Sequence, residues 1–491
     1  MLMTFCGTRE DCMGFFNNVK WVTLSQLIKV SSQLLGMVIF SRYLTPGEIG
    51  VMSMTLIVVN FVNVLRDMGS SAAIIQRDEL TDSLKCSVFF LNLALGIVLF
   101  IVVFSLSGVI ADFFKEPELV NTIKIVAFAF PINSATAVHL ALLERESKFN
   151  KTARVEIGAS ILALLIAVIF VMRGAGVYSL VIQTVLYAVI SSIGFWIYSS
   201  WLPRFNFKFS DVKSIFKFSS NLVGFNFINY FSRNSDQIII GRSFSSSTLG
   251  QYSLAYRVML FPIQNITFVL TRSLYPVLSR LQNNNNEAVS VYFKVIKTIS
   301  IIIPPLMLGM AVVSREFVHV IFGEQWTMVA NMLIWLAPIA IMQSMVSTTG
   351  SVFMSRGRTD ILFKISIYNA ILQVGAFVVG GLFSISILIK LYLISNILMF
   401  FPNMFIAIRV IGGSFVDFLR VISRPIISAI IMAAIIILVS NYNLEFSFGY
   451  TASLIFKVSL GVMAYAIVLF LLEWKLLSGW FISKKAKSSN G

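Results

Sequence analysis

Runs of roughly 20 apolar residues recur from Trp21 to Phe481, and each is long enough to cross about 30 Å of hydrocarbon. A bilayer core offers no water to unpaired backbone groups, so only helices and closed barrels span it. Barrel strands are ~10 residues long and alternate in polarity, unlike these blocks. The pattern therefore predicts an all-α, polytopic membrane protein. Of the 491 residues, 57% are hydrophobic and only 12% charged, against about 25% charged in soluble domains. A soluble enzyme and a disordered chain are excluded. Cys6, Cys12 and Cys86 form neither a metal spacing nor a disulfide framework, so a secreted scaffold is excluded too. The polar head before Trp21 lacks the basic region and cleavage site of a signal peptide, and the first span is expected to stay in the mature chain.

Periodicity and punctuating Gly and Pro residues predict fourteen helices, at 21–42, 48–72, 85–111, 118–143, 152–172, 176–201, 216–240, 248–279, 289–313, 327–354, 361–383, 385–409, 424–440 and 451–473. Of the 38 Lys and Arg residues, 25 lie in one set of alternate loops, among them Lys148, Lys208 and Arg356. Only 6 lie in the other set, among them Arg42, Lys115 and Arg242. The rich set includes both termini, which the positive-inside bias assigns to the cytoplasm. The net charge of +16 then reflects this bias and attraction to anionic lipid; no nucleic-acid partner is expected. The stretch from Arg204 to Lys217 mixes aromatics with cations and is expected to form an interfacial helix.

The chain also repeats itself. Arg42, Gly50 and Ser53 match Arg242, Gly250 and Ser253 at a constant offset of 200 residues. Phe114, Glu116 and Pro131 parallel Phe322, Glu324 and Pro338, and Arg145 and Arg356 follow in equivalent inner loops. Helices one to six and seven to twelve read as two copies of one unit. An even helix number keeps both copies in the same orientation, around an axis along the membrane normal. The organisation expected is a tail (1–20), an N-lobe (21–202), an interfacial linker (203–215), a C-lobe (216–411) and a final helix pair with a basic tail (412–491).

Seven cations belong to neither loop set: Lys29, Arg66, Arg233, Arg257, Arg272, Lys390 and Lys457. A central Lys or Arg facing lipid costs ~2.5–3.5 kcal/mol on insertion scales. Arg272 and Lys457, near helix ends, are expected to snorkel to the headgroups. Arg66 either pairs with its neighbour Asp67 at the interface or faces the interior. The others keep polar company at helical spacing: Gln26, Lys29 and Gln33 on the first helix, Asn63 and Arg66 on the second, Asn226, Asn229, Arg233 and Asp236 on the seventh, Arg257 and Gln264 on the eighth. These are the first two helices of each repeat, whereas the fifth, ninth and thirteenth look nearly blank. Such stripes describe a hydrated cavity between two lobes, with Asp67 and Asp236 as its only intramembrane acids. A cavity of that balance suits an anion. Asp236 follows Arg233 by three residues, so it is either a structural partner or a coupling group. His139 is expected to be a hydrogen-bonded core residue. No G-x-x-x-x-G-K-[ST] loop and no long outer loop with paired acids is present, so neither an ATPase nor a polymerase or ligase is favoured, and no cofactor is implied.

Several stretches carry a family likeness. Arg42-Tyr43-Leu44-Thr45-Pro46-Gly47-Glu48-Ile49-Gly50, Asp67-Met68-Gly69 and Ile74-Ile75-Gln76-Arg77 are followed by Leu254-Ala255-Tyr256 with Pro262, Leu274-Tyr275-Pro276, and Val320 to Trp326. Together they resemble the bacterial polysaccharide exporters, the Wzx-like flippases of the multidrug/oligosaccharidyl-lipid/polysaccharide superfamily, in the colanic-acid-type branch. The resemblance implies two six-helix lobes around a cationic cavity, two extra helices, and no enzymatic step. It implies translocation of an undecaprenyl-pyrophosphate-linked oligosaccharide from the cytoplasmic to the periplasmic leaflet of the bacterial inner membrane. Lys29, Arg233 and Arg257, with Arg66, would hold the pyrophosphate. A polysaccharide polymerase and a chain-length regulator are the protein partners to look for. The alternative is a cation-coupled drug or metabolite antiporter of the same superfamily, for which an acid-dominated cavity is expected.

Overall fold

The computed structural model describes residues 9–66, 74–75, 80–208, 227, 230–441 and 449–488, with side chains from residue 20 to residue 473 except Phe268. Among the described residues every regular element is helical, and thirteen helices are long and apolar enough to cross a membrane. Most of the seventh expected span, including Asn226 and Asn229, lies outside the described residues, as does Asp67. The chain divides into two compact units, Met1–Gly250 and Gln251–Gly491.

The first unit holds α1 (Arg9–Tyr43), α2 (Pro46–Arg66) and α3 (Asp82–Phe114), then α4 in two segments, Leu119–Ala127 and Ala129–Arg145. It continues with α5 (Phe149–Met172), α6 (Tyr178–Ser199) and the helical residues 230–243 of α7. Pro131 has no amide to offer the Ala127 carbonyl, which accounts for the break in α4. Packing follows the rule for helices in lipid, where small and polar residues turn inward and bulky apolar ones outward. On α3, Asn92, Gly96, Ser107 and Ala111 are buried while Val98, Ile101 and Val109 are exposed. A Cβ on Gly96 would overlap the Ser134 hydroxyl of α4. On α5, Ala159, Ala163 and Ala167 form a buried small-residue stripe, and this helix packs chiefly on α1 and α6.

The second unit holds α8, α9 (Asn285–Val312), a short helix Ser314–Ile321, α10 (Glu324–Ser355), α11 (Thr359–Gly381), α12 (Ile385–Val410), α13 (Phe415–Asn441) and α14 (Tyr450–Ser488). Helix α8 begins at Ser246, at the end of the first unit, and passes through a π turn at Ile263–Thr267 before ending at Arg280. Pro262 removes the amide that would bond the Val258 carbonyl, and the turn widens directly after it.

The sequence repeat is matched by similar hydrogen bonds at helix ends. Thr45 caps α2 by accepting from the Glu48 amide at 3.3 Å, while the Glu48 carboxylate accepts from the Thr45 amide at 2.7 Å. Ser245 caps α8 in the same position, accepting from the Thr248 amide at 3.2 Å. At the inner corners, the Lys148 amide reaches back to the Leu143 carbonyl at 2.9 Å and the Arg358 amide to the Phe353 carbonyl at 2.8 Å. Ser147 and Gly357 are the left-handed residues between them, at φ 53° and 65°. Arg145 then donates to the Ile74 carbonyl at 2.7 Å, and Arg356 donates to the Gln282 carbonyl. Each arginine thus closes the loop between the second and third helix of its own repeat.

The repeat-related glycines also have a packing reason. A Cβ on Gly50 would fall on the Ser246 carbonyl, and one on Gly250 on the Pro46 carbonyl. Within the first unit the α2 and α8 N-termini cross with their backbones in contact, and only glycine leaves room at either position.

One expectation is corrected here. Residues 201–208 are not helical. Pro203 offers no amide, the Arg204 amide meets the Cys86 sulfur at 3.4 Å, and the Lys208 amide donates to the Ser87 hydroxyl at 2.9 Å. Residues 201–208 lie along the start of α3, two of their amides meeting that helix's side chains, and residues 209–217 of the expected helix lie outside the described residues.

Candidate substrate-binding site

Lys29 stands in the middle of α1, and its Nζ lies 2.5 Å from Oε2 of Glu156 on α5. The buried Ser25, one helical turn before Lys29, donates its hydroxyl to the same oxygen at 3.0 Å. The small-residue stripe on α5 allows this approach. Glu156 is also part of the wall of a polar cavity of about 260 Å³ inside the first unit, together with Arg66, Asn92, Asn133, Tyr187 and Ser191. Arg66 of α2 and Glu156 of α5 therefore share one internal space, and Lys29 approaches the same carboxylate from α1.

Glu156 corrects the sequence reading twice. The fifth helix is not blank, and Asp67 and Asp236 are not the only intramembrane acids. The one signal was an acid a turn inside an apolar block, hidden by Lys151 and Arg154, which made that turn look like loop. Two further pairs were missed for the same reason. Lys457 of α14 does not snorkel: it is 4% exposed and donates to Glu316 Oε1 at 2.7 Å. Lys297 of α9 pairs with Glu473 of α14 at 2.9 Å.

The remaining predicted residues sort by exposure. Gln26 and Gln33 are exposed on α1. Asn63 is half-buried, and its Oδ1 has no hydrogen-bond partner among the described residues. Arg233 is exposed while Asp236 is 1% exposed. In the second unit, Arg257 is exposed in mid-helix and Gln264 is exposed within the π turn of α8. Arg272 is exposed near the end of α8, and Lys390 sits over the Trp335 ring at 5.2 Å. His139 is fully buried, bonded through Nδ1 to the Ser199 hydroxyl at 2.6 Å and tilted against the Trp196 ring at 4.2 Å, a packing role as expected.

Comparison with known proteins follows the same lines. The Lipopolysaccharide biosynthesis protein WzxC of Escherichia coli (strain K12) is 27% identical over 405 residues, covering 81% of this chain and 82% of its own. The Teichuronic acid biosynthesis protein TuaB of Bacillus subtilis (strain 168) is 27% identical, with 92% of this chain and 94% of its own covered. Among solved structures, the Lipid II flippase MurJ in an inward closed conformation superposes with a TM-score of 0.75 at 15% identity, covering 93% of this chain and 99% of that one. An inward-facing multidrug resistance MATE family transporter of the MOP superfamily gives 0.57 at 14% identity, covering 80% and 98%. These likenesses carry the fold, a polytopic helical transporter architecture. Residues 39–331, well over half of the chain, match the family described as "Polysaccharide biosynthesis protein", and the chain belongs to that family.

Proposed function

We propose that this protein is a flippase for lipid-linked oligosaccharide repeat units in capsule, exopolysaccharide or O-antigen synthesis. Its substrate is an undecaprenyl-pyrophosphate-linked glycan, moved from the cytoplasmic to the periplasmic leaflet of the bacterial inner membrane by alternating access. Lys29, Arg233 and Arg257 hold the pyrophosphate, with Arg66 in support. Gln26, Gln33, Asn63, Asn226, Asn229 and Gln264 line the hydrated space around the glycan. Asp67 and Asp236 are coupling candidates, and Glu156 joins them. The relatives named for polysaccharide synthesis support this reading, as does the likeness to a lipid flippase fold. The observation that carries it is the exposure of Arg233 on α7 and of Arg257 in the middle of α8. Facing lipid, each would cost ~2.5–3.5 kcal/mol, so water and an anionic ligand are their natural surroundings.

The triple variant Lys29→Ala, Arg233→Ala, Arg257→Ala is expected to abolish glycan export while membrane expression persists. Surface-glycan assay with a membrane immunoblot checks this, and full export by the triple variant would sink the assignment. Glu156 is the one observation favouring the antiporter reading, since drug antiporters use intramembrane acids. Under that reading the triple variant keeps transport and Glu156→Gln loses it.

Both termini are proposed to be cytoplasmic. Single cysteines at positions 148 and 208 should resist an impermeant thiol reagent applied to the periplasm, and a cysteine at position 115 should label. Labelling at 148 from that side would reverse the orientation.

A further inference from the structure

A second basic feature lies apart from the proposed pyrophosphate cations, wholly within the second unit. A cavity of about 590 Å³ opens at the Lys/Arg-rich end of the bundle, where the α10–α11 loop meets the end of α12. Arg356, Arg358 and Arg409 line it, with Phe405, Ile406 and Val410 as an apolar floor. We propose that this corner is a binding site for a lipid-borne phosphate, with the phosphate among the three guanidinium groups and the start of the chain on the floor. The proposal does not depend on which glycan is carried or on the flippase reading.

Three observations support it. First, the charge is not balanced locally. Arg358 is held by Asp360 through two bonds, at 3.0 and 3.1 Å, which leaves Arg356 and Arg409 as surplus cations. Arg356 uses Nη1 on the Gln282 carbonyl, and its Nε and Nη2 are buried with no hydrogen-bond partner among the described residues. Second, the first repeat is composed differently at the same corner. In register with the matched Lys148 and Arg358 amides, Glu146 falls at the place of Arg356, one residue after the loop-closing Arg145, and it pairs with Lys148. The sixth helix ends in Ser199, bonded to His139, where the twelfth ends in Arg409 and Val410. Third, the floor is apolar and accessible, with Phe405 47% exposed.

The chemistry of a phospholipid phosphate fits these parts. Guanidinium groups bind phosphate oxygens through paired N–H donors and stay charged. Basic pockets between transmembrane helices near the interface are where lipid headgroups bind. The volume is that of a small-ligand site, which spans about 300–1,000 Å³. A free anion would satisfy the arginines and leave the floor wet.

The test uses the full chain in dodecyl maltoside and reads the thermal unfolding midpoint. Phosphatidic acid is the probe, with diacylglycerol and inorganic phosphate as controls. Phosphatidic acid should raise the midpoint, and neither control should. The double variant Arg358→Gln, Arg409→Gln should lose most of that rise, while Arg356 is left intact because it closes the inner loop. Native mass spectrometry gives a second measurement that does not need matched stabilities: the double variant should retain fewer copurified phospholipids than the parent. An undiminished rise together with undiminished lipid retention in the double variant overturns the proposal. An equal rise with inorganic phosphate alone also overturns it, by making this a free-anion site.

Discussion

Lys29→Ala should lower glycan export by about an order of magnitude or more, and adding Glu156→Gln should not restore it. The two substitutions separate two meanings of one ion pair. Lys29 and Glu156 meet at 2.5 Å between α1 and α5, and the carboxylate also accepts from Ser25. If Lys29 serves only to neutralise Glu156, the alanine variant fails because an acid is left unpaired beside a cavity of about 260 Å³. Removing that acid would then cure the defect. If Lys29 holds the substrate's pyrophosphate, the double variant still lacks the contact and stays inactive. Glu156→Gln alone discriminates further. It leaves Lys29 charged and without its competitor, so substrate binding should be retained or strengthened. Export is read by surface glycan and expression by immunoblot. Export at the parental level in the double variant would remove Lys29 from the binding site.

Lys457→Met should destabilise the protein by about 3–5 kcal/mol, the usual consequence of removing one partner from a buried ion pair. Lys457 is 4% exposed, and it donates to Glu316 at 2.7 Å. Without it, Glu316 on the short helix Ser314–Ile321 keeps a charge that neither water nor protein compensates. The companion Glu316→Leu should recover most of the loss, because replacing both members of such a pair with apolar residues is often nearly neutral. The last helix should stay docked in the double variant. Lys297 still pairs with Glu473 at 2.9 Å, and the Tyr465 hydroxyl still donates to the Ile301 carbonyl at 2.7 Å. Thermal midpoints of the detergent-purified variants check this. A single variant as stable as the parent would show the pair to be energetically idle.

The acids show where reading residues in order stops working. Arg66, Lys457 and Lys29 were visible as cations in apolar blocks, because a charge against a uniform background stands out along the chain. Their partners lie elsewhere: Glu156 is 127 residues from Lys29, and Glu316 is 141 from Lys457. Nothing in the local pattern around Glu156 points to Lys29 as its partner, since Lys151 and Arg154 stand closer along the chain. Lys457 was misread because distance from a helix end predicts snorkelling only when no acid from another helix is within reach. The interfacial linker differs over its first residues. Its mixture of aromatics and cations suits a surface helix, but Pro203 offers no amide and Cys86 and Ser87 take the Arg204 and Lys208 amides, so residues 201–208 are not helical.

By itself the sequence determined the membrane class, the positions of the spans and the two-copy repeat. Each of these follows from terms that act locally: hydrocarbon thickness sets the length of an apolar run, and capping residues at Thr45 and Ser245 start equivalent helices in both copies. The tertiary structure alone decided which charges neutralise one another. It brought Glu156 to Lys29, Glu316 to Lys457, and three arginines from two chain segments to one corner of the second unit. In a low-dielectric interior the energy of a charge depends on what lies within a few ångströms, and helix packing, not chain order, sets those distances.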